Sequence, residues 1–162
     1  MNIGVLLIMF SAGFQSDEKN KICWESTTIY YDSEFKKPVP EDDPDAKKLH
    51  QKMEKYEKMM KESARELFAK YGFELVECPK EQTEDEPYHF KLSLAYASGI
   101  ASVTLYAKVE VFENGKLLFE FKDKLRVGWR TALNREKRKK AILKFVDKLF
   151  KTLTDKIKNI RR

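Results

Sequence analysis

Cysteine and histidine are the side chains best able to bind metal or carry electrons, and this chain has two of each. Cys23 and Cys78 have no C-x-x-C spacing, and neither His50 nor His89 lies beside a cysteine or beside the other. No zinc-type ligand spacing results, so no metal is expected. Glu81, Glu84, Asp85 and Glu86 cluster without the Asp-x-Asp-x-Asp-Gly order of a calcium loop and read as solvated. There is no G-x-S-x-G, P-loop or dinucleotide fingerprint, and six glycines leave little for a phosphate-cradling loop. The chain is therefore expected to be no enzyme and to need no cofactor.

What the cysteines can do is pair with each other. Two cysteines suit an oxidising compartment and a single disulfide. Strand geometry argues the other way. If their strands are parallel neighbours, one cysteine opens its strand and the other closes its own. A strand spans roughly 17–20 Å, whereas a disulfide needs Cα atoms within about 7 Å. The pair Cys23 and Cys78 is carried forward as a candidate disulfide with those two arguments opposed.

Two groups of cations could hold an anion. Lys91, Tyr106, Lys108, Lys122, Lys124 and Arg126 share the face opposite the apolar one on three strands. They form either a solvated face or, with Tyr106 as a stacking ring, a phosphate-binding surface. Arg135, Arg138 and Lys139 crowd a helix start, where the macrodipole is already positive. Either Glu136 and solvent offset them or an anion sits there.

These groups need elements to position them, and the clearest lie between Tyr88 and Val127. Apolar positions are even from Tyr88 to Tyr96 and odd from Val103 to Val111, with the change at Gly99. A two-residue turn at Gly99-Ile100 would pair Ser98 with Ala101 and set Tyr96 opposite Val103 and Phe90 opposite Val109. Asn114-Gly115 is a two-residue turn signal. The apolar set Leu117, Phe119, Phe121, Leu125 and Val127 instead favours a three-residue loop, Glu113–Gly115, placing Val111 by Leu117. The result is an antiparallel meander with one apolar and one basic face.

A helix is expected between Asp43, a good N-cap followed by Pro44, and Gly72, which suits the left-handed C-terminal position. Its stripe is Leu49, Met53, Tyr56, Met60, Ala64, Leu67 and Tyr71. Strands are expected at Lys21–Tyr31, whose faces are poorly separated, and at Phe73–Cys78. A second helix starts near Thr131 or Asn134 with the stripe Ile142, Phe145, Leu149, Leu153, Ile157 and Ile160. The fold expected is two-layer α+β, ordered β-α-β-β-β-α. Its mixed sheet carries two long helices on one face.

At 162 residues, with 42% apolar and 36% charged residues, the chain suits one soluble domain over residues 21–160. The net charge of +6 permits an anionic partner without requiring one. Residues 1–13 read as a signal peptide. Ile3–Phe14 is an uncharged apolar run too short to span a bilayer, and Ser11-Ala12-Gly13 offers small residues for cleavage. Met1-Asn2 lacks the usual positive charge.

The element order, the long helix ending YGFELVE, the glycine-containing hairpins and the closing helix resemble small bacterial envelope domains. The families are that of the N-terminal domain of TolB and that of the curli-secretion lipoprotein CsgG. The resemblance implies a non-enzymatic assembly or binding role. Phe14 stands where a lipid-modified protein would have cysteine, so a periplasmic or secreted protein is expected, with no transmembrane helix in the mature chain. The function expected is binding or scaffolding of another envelope protein. An intracellular nucleic-acid binder using the basic face is the lesser reading.

Overall fold

The computed structural model describes residues 20–81 and 86–161, so the signal-like start and part of the acidic loop lie outside the described residues. A five-stranded mixed sheet is ordered β2-β1-β3-β4-β5. Its strands are β1 (Lys21–Tyr30), β2 (Glu74–Val76), β3 (Tyr88–Ser98), β4 (Ser102–Glu113) and β5 (Lys116–Gly128). Helices α1 (Lys47–Lys70), α2 (Trp129–Leu133) and α3 (Arg135–Ile160) complete the α+β fold. β1 is parallel to both β2 and β3, whereas β3, β4 and β5 form the antiparallel meander.

The ends of α1 follow their local chemistry. Asp43 accepts a hydrogen bond from the Asp45 N–H and opens a 3-10 turn, Pro44–Ala46, that runs into the helix. Gly72 closes it with φ +85°, which only glycine adopts without Cβ strain. Met53, Met60, Ala64 and Phe68 are its buried stripe. Phe68 stacks on Phe150 of α3 at 4.3 Å between ring centroids, and both rings meet Phe90 of β3. Trp24 of β1 joins them at 5.1 Å from Phe90. This aromatic knot ties both long helices to one sheet face.

The second long helix begins at the later of its two expected starts, Asn134, and a separate short helix precedes it. α2 is one short turn, and α3 starts after Asn134, whose side chain accepts from the Lys137 N–H. Asn134 therefore satisfies one donor at the basic helix start.

Both hairpins depart from their expected registers while keeping the expected faces. In the first, Ser98 pairs with Val103, Tyr96 with Leu105 and Phe90 with Val111. The Gly99 N–H donates to Ser102 O at 2.8 Å, so Ile100-Ala101 is the turn and Gly99 has no positive φ. The shift is two residues, which a period-2 pattern cannot register.

In the second, Asn114-Gly115 is a two-residue turn after all, with φ of +52° and +79°, and Glu113 pairs with Lys116. A register shift next to Val111 then sets Val111 opposite Phe119 and Val109 opposite Phe121, in place of the expected Leu117 and Phe119. Turn preference and face pattern are both met because a bulge absorbs one residue. Leu117 is the residue given up: it pairs with Phe112 and is exposed.

A bulge also explains the mixed faces of β1. The register breaks between Trp24 and Ser26, leaving Glu25 as the extra residue. Ile22 and Trp24 face the helices before it, and Ile29 joins the core after it.

The opposed arguments over the cysteines resolve in favour of pairing: Cys23 and Cys78 form a disulfide with Cα atoms 5.1 Å apart. The objection assumed two strands of ordinary length. β2 has only three residues, and Val76 already pairs with Cys23, so Cys78 lies two residues further on.

Candidate functional site

The core is not filled at the end of the sheet formed by the β3–β4 turn. There the helix layer consists of the early turns of α1 and α3 and the short α2. Beneath them is a cavity of about 130 Å³. Leu105 and Leu125 from the meander line its floor, and Tyr56, Trp129 and Ile142 close its sides. That volume is near that of an engineered apolar cavity that takes benzene, so one apolar side chain fits.

The rim is unusual for a monomer surface. Ile100, at the turn, is fully exposed, and Leu133, at the end of α2, is 77% exposed. The Trp129 indole N–H donates to Gly99 O at 2.9 Å, holding α2 against the turn that carries Ile100. Lys52 and Arg138 provide positive charge in the lining. Arg138 Nη1 donates to Ala132 O at 2.9 Å, and Lys52 Nζ sits 4.2 Å over the Tyr96 ring. Burial is the main cause that raises the Tyr56 hydroxyl above its ordinary pKa, with Tyr96 adding to it. It remains a neutral hydrogen-bonding group at the cavity wall through physiological pH. An apolar floor with fixed cations suits an apolar group bearing an anion.

The sequence-derived candidates are dispersed relative to this cavity. Of the helix-start group, Arg138 lines it, whereas Arg135 and Lys139 are exposed and do not. The basic stripe lies on the other face of the sheet. There Lys91 sits over Phe112 at 5.0 Å. Lys108 and Lys122 sit over Phe35 at 5.5 and 5.9 Å. Lys108 is also 3.7 Å from Glu110, and Arg126 Nε donates to Ser102 Oγ. Tyr106 is half-buried, and Lys124 is exposed.

Phe35 was not anticipated on that face. Its loop folds back over the sheet because the Asp32 carboxylate accepts from the Lys37 N–H at 2.8 Å and the Lys36 N–H at 3.1 Å. These bonds, led by that from Lys37, hold the Asp32 carboxyl below its ordinary pKa. They also fix Phe35 at φ +59°, costly for a bulky residue.

Lys52, Tyr56, Trp129 and Leu133 are among the cavity-lining residues not picked out as a site. The available signals were Gly128-Trp129-Arg130, which breaks the strand pattern, and apolar residues at positions where turns are normally polar. No helix among the described residues is long and apolar enough to cross a membrane.

No family model matches the chain, and no curated protein matches it. Among solved structures it is similar to one described as an uncharacterized protein. The TM-score is 0.45 and the identity 10%, over 85% of this chain and 92% of the other. It is also similar to lipoprotein GNA1162 from Neisseria meningitidis. Here the TM-score is 0.42 and the identity 12%, over 86% of this chain and 98% of that one. Scores of this size establish neither a common family nor a common role.

Proposed function

We propose that this is an exported, non-enzymatic domain of the cell envelope that binds another envelope protein at the hairpin end of its sheet. The partner places one apolar side chain, with a carboxylate beside it, into the cavity between Trp129 and Arg138. The observation that carries this reading is the cavity itself, with exposed Leu133 in its lining and exposed Ile100 on the neighbouring turn that Trp129 holds. Exposed apolar groups grouped around a concave site mark interaction surfaces, whereas scattered ones do not. Export is supported by the Cys23–Cys78 disulfide and by the uncharged apolar run Ile3–Phe14.

The nucleic-acid alternative has less support. Lys91, Lys108 and Lys122 already cover aromatic rings of their own chain, and Glu110 and Glu120 interleave with the cations on that face. A salt titration against single-stranded RNA distinguishes the two, since phosphate binding weakens steeply with salt.

The cavity is tested with Trp129 as reporter in a Trp24→Phe background. N-acetyl-phenylalaninate should change its fluorescence saturably, and the uncharged amide should do so more weakly. Arg138→Ala should erase that difference. Equal responses to acid and amide contradict the assigned charge recognition. Fractionation of cells expressing the tagged chain tests export: intact Met1 in the cytosolic fraction ends that part of the reading.

A further inference from the structure

We propose that Cys23, Cys78 and His89 form a binding site for a zinc-like divalent metal when the disulfide is reduced. Three separate chain segments bring them together. Cys23 on β1 pairs with Val76 of β2 on one side and with His89 of β3 on the other. Cys78 follows β2 by two residues. The two sulfurs and an imidazole nitrogen all lie within 4.8 Å of one another. Two thiolates and an imidazole are a soft-to-borderline donor set, which selects zinc over magnesium or calcium.

The histidine is prepared for such a role. Its Nδ1 lies 3.8 Å from Glu25 Oε2, while its Nε2 is buried and has no hydrogen-bond partner. A buried polar atom without a partner calls for a specific explanation, and an absent ion is one. A carboxylate behind one nitrogen with the other free is the arrangement that orients metal-binding histidines. Glu25 reaches this position because it is the extra residue of the β1 bulge. Beside the cluster is a cavity of about 270 Å³, lined in part by Glu25, Pro79, His89 and Lys91. It gives an ion and its water a route in.

The chemistry balances in two steps. A dithiol reductant supplies two electrons and two protons, becomes a disulfide, and leaves Cys23 and Cys78 as thiols. The metal then displaces both thiol protons to solvent and gains two thiolates and the neutral imidazole. Water completes four-coordination. Tetrahedral zinc with bonds of about 2.3 Å to sulfur needs its sulfurs about 3.8 Å apart. Cys78 lies outside any strand, so it can make that movement.

Cobalt(II) is the probe. The protein is reduced with dithiothreitol, desalted without oxygen and titrated with Co²⁺. The expected result is one equivalent bound, with thiolate-to-cobalt charge-transfer bands that Zn²⁺ abolishes. His89→Ala should weaken binding at least tenfold and Glu25→Gln about tenfold. The oxidised protein should give no such bands. Should reduction alone unfold the chain, the readout is the melting temperature: Zn²⁺ must raise it for the reduced protein and leave the oxidised one unchanged. Absence of both the bands and that rise overturns the proposal. So does a His89→Ala variant that binds as tightly as wild type, because two adventitious thiolates would then suffice.

Discussion

The two ends of the sheet are built on opposite plans. At the end where β1 begins, the chain is clamped. A disulfide joins β1 to the segment after β2. Arg161, beyond α3, donates to Tyr88 and Asn20, and Lys158 Nζ donates to Tyr71 O at 2.8 Å. Tyr71 also donates to Asp147 of α3. At the end where β3 turns into β4, the side-chain hydrogen bonds that tie the short α2 down, among the described residues, are those of Trp129 and Arg138, and Leu133 and Ile100 face solvent. The contrast separates stability from recognition. On the proposed reading, residues at the clamped end hold the fold, whereas apolar exposure at the open end serves binding.

Substitutions should therefore act unequally at the two ends. Two comparable effects are the largest expected, and the first is that of Cys23→Ala with Cys78→Ala. Chain entropy for a separation of 55 residues gives about 4 kcal/mol of lost stability, measurable by denaturant unfolding. Phe68→Ala, which opens the aromatic knot between the ends, should cost about 3–5 kcal/mol in the same assay. Asn134→Ala removes the cap of α3 near the open end and should cost about 1 kcal/mol. Leu133→Ser and Ile100→Ser should change stability by no more than about 0.5 kcal/mol. If either proves as costly as Phe68→Ala, the open end is structural and the contrast fails.

The smallest effect concerns the Phe35 loop on the basic face. Asp32 has a lowered pKa in the folded chain, so its contribution is present above the ordinary carboxylate range and lost as pH falls through the lowered value. Acidification should then release Phe35 from Lys108 and Lys122 before global unfolding. Proton resonances of those lysine methylenes, shifted by the ring, should move to ordinary positions. Asp32→Asn should show the released spectrum already at neutral pH.

The clamped end was legible only in part, and the open end hardly at all. Asp43, Pro44 and Gly72 announced α1 because caps act within one turn of chain. The meander was visible because alternation is local, yet its registers were not. Two-residue shifts preserve the faces, and the bulges beside Val111 and at Glu25 change register at the expense of Leu117 from the expected apolar face. Cys78 came within reach of Cys23 because β2 is three residues long, a length FELVEC does not disclose. His89 joined them through the parallel pairing of β1 with β3, which no sequence spacing encodes. The cavity draws on α1, α2, α3 and the meander strands, so its residues become neighbours only in the folded chain.

The contrast between the ends is tested most directly by photo-crosslinking in cells of the native source. A photoreactive amino acid replaces Leu133 in one variant and Lys80, beside the disulfide, in another. The expected result is one discrete adduct with an envelope protein from position 133, lost on adding Arg138→Glu, and none from position 80. Equal adducts from both positions, or an adduct at 133 indifferent to Arg138, would contradict recognition at the hairpin end.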